Sequence, residues 1–281
     1  MKNFKGSHST VASLIYKYTK EGVFMDYEQF KAQVFALTKI DLNMYKEKQM
    51  RRRIDSLIAK NKISGYKDYV EAIKKDVKLF DEFVNYLTIN VSEFWRNPDQ
   101  WKVLEEQVLP ELIKTSGKTL NVWSAACSTG DEPYSLVMLL SKFFPLNNIK
   151  VLATDIDKQV LEKARVGLYN EKSIAGLPDE FKKKYFTKIG SSSYQIADEI
   201  KKCVDFKEGN LLADKYPSNL DLILCRNVVI YFTDEAKTEI YKKFNASLRT
   251  GGYLFVGSTE QIINYKELGY SSFKSFFYKK N

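Results

Sequence analysis

The stretch VWSAACSTGDEPYS, residues 122–135, decides the fold. Its apolar opening reads as a buried strand and its close as the first turn of a helix, with a run of small residues between. In an open α/β sheet, ligands bind in the crevice beyond the carboxyl ends of the strands. Small side chains at Ser124, Ala125, Ala126, Ser128 and Gly130 let a ligand approach the backbone there. Gly130 is the only glycine in this stretch, so the G-x-G-x-x-G pyrophosphate fingerprint is absent from it. Acidic groups at the helix start, Asp131 and Glu132, repel a pyrophosphate and suit a cation or a ribose hydroxyl. Asp131 serves either a ligand or the helix dipole; Glu132, followed by Pro133, reads as functional.

Working outward, the same rhythm repeats. TLNVWSA (119–125), IKVLATD (149–155), CVDFKEG (203–209), LDLILCR (220–226) and GYLFVGS (252–258) are short apolar runs of buried parallel-strand type. Helical segments at 131–144, 157–166 and 234–248 separate most of them, the last stopping at Arg249 and Gly251. The alternation predicts a doubly wound, Rossmann-like α/β domain over 118–281. The tail SSFKSFFYKK reads as one terminal strand. Residues 168–202 are too long for a single crossover and read as a small inserted β-subdomain with a hairpin near Ser191–Ser193. Ahead of this lie a leader (1–25), a small all-helical domain (26–90), and a linker with a connecting helix (91–117). In the helical domain Tyr27, Phe30, Val34 and Leu37 recur at helical spacing behind Asp26, a candidate N-cap.

Four further motifs carry chemistry. In VLATDID (151–157), Asp155 ends the second strand, where an acidic residue typically accepts the ribose hydroxyls of a nucleoside cofactor. Asp157 reads as the N-cap of the next helix. In EGNLL (208–212), Asn210 faces adenine or neighbouring backbone, a weak signal on its own. In LCRNVVIYF (224–232), Arg226 and Asn227 break an apolar run at the end of a central strand, which costs free energy unless used. In NVSEFWRNPDQW (90–101), Phe94 and Trp95 look like packing residues beside Arg96, which is placed to reach the cleft. Together the motifs describe an adenosine ligand without a pyrophosphate. S-adenosylmethionine, with ribose, adenine, a sulfonium cation and an amino-acid end, fits.

Taken in order, these motifs resemble the CheR-type chemoreceptor glutamate O-methyltransferases. The family's N-[LV]-[TS]-x-F-[FW]-R pattern is Asn90 to Arg96 here, and its S-A-A-x-S-x-G-x-E-P-Y-S motif is Ser124 to Ser135. Thr154 to Asp157, Asn210 to Leu212 and Cys225 to Phe232 complete the set. Departures are small: Ser92 is often threonine, Trp95 phenylalanine and Asp131 glutamate. The resemblance implies that Asn90, Ser92, Arg96, Glu132, Asp155, Asn210, Leu211, Arg226 and Asn227 contact the cofactor. It implies that Arg96 and Tyr231 lie near the transferred methyl group, that S-adenosylhomocysteine is the product, and that no metal takes part. It further implies that the insert docks on receptors, whose cytoplasmic methylation helices are the substrate.

Composition agrees with this picture. The 281 residues are 44% hydrophobic and 28% charged, which excludes disordered and fibrous classes. Three cysteines, odd in number and far apart, point to a reducing, cytoplasmic setting. No long apolar run predicts membrane insertion, and the N-terminus lacks the h-region of a signal peptide. The single histidine, His8, leaves imidazole-based catalysis almost no material. Net charge is +9, of which residues 1–90 hold +6 (17 basic, 11 acidic). The segment 44–60 puts Met50, Ile54, Leu57 and Ile58 on one face and Lys46, Lys48 and Arg51–Arg53 on the other. Lys46, Arg51 and Arg52 are read as steering an acidic receptor helix, and Arg53 as flanking the packed face. A nucleic-acid methyltransferase is the main rival, but neither its N/D-P-P-Y/F tetrapeptide nor a Pro-Cys nucleophile is present, so nucleic acid is not expected as a partner. A non-catalytic cofactor sensor is the other.

Overall fold

The computed structural model describes residues 24–117 and 119–281; His8 and most of the leader lie outside them. Among the described residues, four α-helices form the front of the chain: α1 (Tyr27–Thr38), α2 (Glu47–Lys60), α3 (Gly65–Lys75) and α4 (Val77–Thr88). A capping box starts α1: the Asp26 carboxylate accepts from Gln29 N at 2.8 Å, and the Gln29 side chain accepts from Asp26 N at 3.1 Å. Asp76 caps α4 through Lys78 N and Leu79 N. Each helix buries the stripe its spacing sets, Phe30 and Val34 from α1, Ile54 and Leu57 from α2, Tyr69 and Ile73 from α3, and Phe83 and Leu87 from α4. Phe83 meets Phe30 and Tyr69 edge-on at the centre.

After the linker a helix runs from Pro98 to Ser116 through one π turn at Leu104–Val108 and packs Trp101, Leu104, Val108 and Leu112 inward. The main sheet has the order β6-β2-β1-β7-β8-β10-β9, with the first five strands parallel. Central β1 (Val122–Ala125) and β7 (Leu220–Cys225) are buried along their whole length, as strands covered on both faces must be. β2 (Val151–Asp155) and β6 (Val204–Glu208) lie on one side, β8 (Leu248–Val256) on the other. Crossover helices Asp131–Leu140, Lys158–Val166 and Asp234–Ser247 complete the doubly wound arrangement. Residues 168–196 hold a separate three-stranded antiparallel sheet of β3 (Leu168–Asn170), β4 (Phe186–Ile189) and β5 (Ser193–Ile196).

Three details depart from the sequence expectations. The tail is two antiparallel strands, β9 (Tyr270–Lys274) and β10 (Phe277–Lys280), with β10 inserted beside β8. Their turn places Phe276 at φ 70°, a left-handed conformation for which an aromatic residue gives no warning. Arg249 and Gly251 are no helix stop: the helix ends at Ser247, and Gly251 (φ 78°) sits in an irregularity early in β8. Gly130 does not open space for a ligand; at φ 88° a Cβ there would stand 2.9 Å from that of Ala164, so it answers to turn geometry and packing.

The helical front and the sheet share one apolar core, which contains Phe83 and Leu87 along with Trp123, Ile223 and Phe244. Backbone also joins them. Lys46 N donates to Tyr231 O and Thr233 N to Met44 O, each at 2.9 Å, so Tyr45 and Phe232 face each other as an antiparallel bridge. Asp157 closes the seam. Its Oδ1 accepts from Gln159 N as the N-cap of the helix Lys158–Val166, and its Oδ2 accepts from Asn90 Nδ2 at 2.7 Å and Thr88 Oγ1 at 3.0 Å. Asp157→Ala removes a cap and the carboxylate that ties Thr88 and Asn90 to the sheet. It should destabilise the protein by about 2–3 kcal/mol in urea unfolding; a loss under about 0.5 kcal/mol would show that the seam does not depend on this carboxylate.

Candidate active site

The seam closes over a cleft at the carboxyl edge of the sheet. Asp155, Ile156, Asn210, Leu211, Arg226 and Asn227 line it from the strand ends, Tyr231 and Phe232 from the loop after β7, and Tyr45, Thr88, Ile89 and Asn90 from the front of the chain. Backbone strain gathers here. Ile89 (φ 52°), Ala126 (φ 60°), Ser128 (φ 48°) and Asn227 (φ 61°) all line the cleft with left-handed backbones, and Ile89 is β-branched. Such conformations persist where the surroundings over-determine them, and they gather at functional sites.

Asp155 ends β2 with its carboxylate buried and held by backbone: Oδ2 accepts from Ser128 N at 2.8 Å and Oδ1 from Asp157 N at 3.0 Å. These bonds favour the anion, but desolvation outweighs them and pushes its pKa from 3.8 up to about 6. Each oxygen keeps a lone pair for a further donor. Asn210 turns the chain by accepting from Leu212 N at 2.9 Å, which brings Leu211 against the cleft. Arg226 is buried, and its Nη2 is fully occupied by Arg96 O (2.7 Å), Asn97 Oδ1 (3.1 Å) and Gln100 Oε1 (3.0 Å). Its guanidinium also lies over the Phe255 ring at 4.6 Å. The arginine therefore pins the linker to the sheet.

Not every expected residue reaches the wall. Glu132 lies behind it, accepting from Ser124 Oγ at 2.8 Å and facing Arg226 Nη1 at 3.5 Å. Ser92 hydrogen-bonds to Asp131, which burial pushes above the usual carboxylate range. Arg96 is about one-third exposed, with Nη1 3.5 Å from the carbonyl of Val91, a wall residue. Arg51 and Arg52 stand apart on the exposed face of α2 and line a shallow groove, while exposed Lys46 is the residue just before the helix, its backbone bonded to Tyr231. Arg51 lies over the Tyr27 ring at 5.1 Å. Arg53 donates to Tyr86 O at 2.6 Å and serves the packing of α4, as its helical position implied. Tyr45, Thr88 and Ile89 are wall residues outside the motifs; Ser128 and Ile156 lie within them, Ser128 as one of the small residues expected to let a ligand near the backbone.

The wall fits a nucleoside ligand. Ser128 Oγ and Arg226 Nε are buried without hydrogen-bond partners, both on residues of the wall, beside a carboxylate suited to a diol and the apolar side chains of Ile156 and Leu211 suited to a base. Among the described residues no cluster of His, Cys, Asp or Glu could hold a metal ion, and no helix is long and apolar enough to cross a membrane.

Comparison with known proteins converges on the same ligand. Residues 90–275 match the family described as CheR methyltransferase, SAM binding domain, and residues 25–88 match its all-alpha domain. The chain is 43% identical over 255 residues to a chemotaxis protein methyltransferase of Listeria innocua, covering 91% of this chain and 97% of that one. It is 33% identical over 255 residues to the one of Borreliella burgdorferi, covering 86% and 89%.

The raised pKa of Asp155 has two opposite consequences. The ligand-free fold holds a proton that the unfolded chain has lost, so Asp155 makes that fold less stable as pH rises from 3.8 through about 6. A carboxyl group accepts both hydroxyls of a ribose diol best as the anion. S-adenosylhomocysteine affinity, read by calorimetry, should weaken as pH falls through 6, approaching about tenfold per pH unit. Asp155→Asn should bind roughly 10-fold more weakly and lose this pH dependence. A wild-type affinity that is flat from pH 7 to 5 would remove Asp155 from the cofactor site.

Proposed function

The chain belongs to the CheR methyltransferase family, and from that premise we propose that it methylates glutamate side chains on the cytoplasmic helices of chemoreceptors, acting in the cytoplasm. One observation carries the reading. Asp155 and Tyr231 face the same cleft, and none of the described residues that line it is a histidine. When bound, S-adenosylmethionine supplies an electrophilic methyl group, which a glutamate carboxylate, ionised above about pH 4.3, accepts without a general base.

The remaining work is binding, alignment and exclusion of water. Asp155 would accept the ribose hydroxyls, Ser128 Oγ and Arg226 Nε would find their partners in the cofactor, and Ile156 and Leu211 would flank adenine. Asn90, Asn210 and Asn227 add polar groups around it, while Glu132 and Ser92 act from behind the wall. Tyr231 would orient the incoming carboxylate with its hydroxyl. Arg96, at the rim, would attract the carboxylate and help to align it. Arg52, exposed on α2, and Lys46, exposed just before it, would meet acidic receptor surface, with Arg51 shared between Tyr27 and the partner. Lys46, the N-cap of α2, donates its N–H to Tyr231 O, so the start of α2 and the cleft are mechanically joined.

Two variants test the reading. Tyr231→Phe should lower turnover roughly 10- to 100-fold while S-adenosylhomocysteine affinity stays within about twofold; wild-type turnover would show that the hydroxyl is not needed. Arg52→Ala should raise the receptor KM roughly 2- to 5-fold at low salt, less at high salt, with cofactor affinity unchanged. A receptor KM indifferent to both Arg52 and ionic strength would make α2 a solvated face and nothing more.

A further inference from the structure

Glu260 belongs to none of the motifs above, yet it is buried at 4% exposure and accepts three backbone hydrogen bonds. Its Oε2 takes Asn227 N at 2.6 Å and Gly257 N at 2.8 Å, and its Oε1 takes Val229 N at 2.9 Å. Two of these donors flank the turn that carries Asn227 and Tyr231 into the cleft; the third comes from the end of β8. The register explains the meeting. Cys225 of β7 pairs with Val256 of β8, so both chains leave the sheet side by side. Their first free N–H groups converge on one point, and an acceptor-only group answers all of them.

The space is closed to anything else. A Cβ at Gly257 would lie 2.5 Å from Glu260 Oε2 and 2.8 Å from Asn227 N. Asn227 is itself left-handed at φ 61°, a conformation that the turn must hold in place. Glu260 N donates back to Gly257 O at 3.0 Å, which fixes the carboxylate's own approach. The Tyr241 hydroxyl lies 3.4 Å from the Glu260 carbonyl and steadies the far side.

We propose that Glu260 is a positioning residue, whose carboxylate gathers the backbone N–H groups of Asn227, Val229 and Gly257 and so sets the turn that presents Asn227 and Tyr231 to the cleft. It touches neither cofactor nor acceptor. A glutamine there would set an amide donor against backbone donors, so an isosteric change disturbs the turn without opening a cavity.

The consequence for Tyr231 rests on the methyl-transfer reading above; the consequence for Asn227 rests only on cofactor binding, and the two can fail separately. In the full chain, Glu260→Gln should weaken S-adenosylhomocysteine roughly 5- to 10-fold by calorimetry and lower turnover on receptor fragments roughly 10- to 100-fold. Because the turnover loss acts through Tyr231, Glu260→Gln should cost turnover at most about threefold more in a Tyr231→Phe background. Gly257→Ala keeps the carboxylate but displaces it, and should reproduce both losses, so the proposal stays testable if Glu260→Gln does not fold. Wild-type affinity and turnover in a folded Glu260→Gln, or full losses that simply multiply with Tyr231→Phe, would overturn the assignment. If wild-type protein labels no carboxylate, the reading of the substrate fails, and the affinity measurement still decides whether Glu260 shapes the site.

Discussion

The carboxylate of Asp155 is withdrawn from water, and the cleft is arranged around the need to satisfy it. At the end of β2 such an anion carries a large desolvation cost, which backbone N–H groups placed to meet it offset only in part. Ser128 and Asp157 supply them. Meeting Asp155 bends the 126–128 loop into left-handed conformations and orients Asp157, which then reaches across to Thr88 and Asn90. The cleft, a helix cap and the seam between helical front and sheet thus share two aspartates, Asp155 and Asp157.

The opposite wall obeys the same rule with the signs of the groups exchanged. There the backbone donors come first, at the diverging ends of β7 and β8, and Glu260 is the anion brought to them. Arg226, buried beside them, gives its hydrogen bonds mainly to the linker and not to the cleft. Each charge is matched by fixed dipoles, so the cleft is shaped before any ligand enters, which is the arrangement that catalysis by alignment requires.

Much of this was legible in the sequence because burial leaves a signature there. Five apolar runs alternating with helical periodicity identified the parallel sheet, and Asp155, Arg226 and Asn227 stood out as polar residues closing such runs. The misses have physical reasons. The turn at Phe276 and the irregularity at Gly251 use conformations that their neighbours impose. Tyr45 enters the cleft through a long-range bridge to Phe232, which no local pattern announces. Glu260 bonds to backbone N–H groups, which every residue but proline possesses, so nothing in the residue types marks the contact. Glu132 and Arg96 show the converse: a motif names them, while their side chains stand outside the wall.

The central claim is that the cleft delivers a methyl group to a carboxylate. The most direct test incubates the protein with S-adenosylmethionine and a chemoreceptor cytoplasmic fragment and locates the added methyl by peptide mass spectrometry before and after mild alkali. The account predicts methyl esters on glutamate side chains, lost in alkali as methanol. Label that withstands alkali, or that sits on lysine, arginine or co-purified nucleic acid, would contradict it.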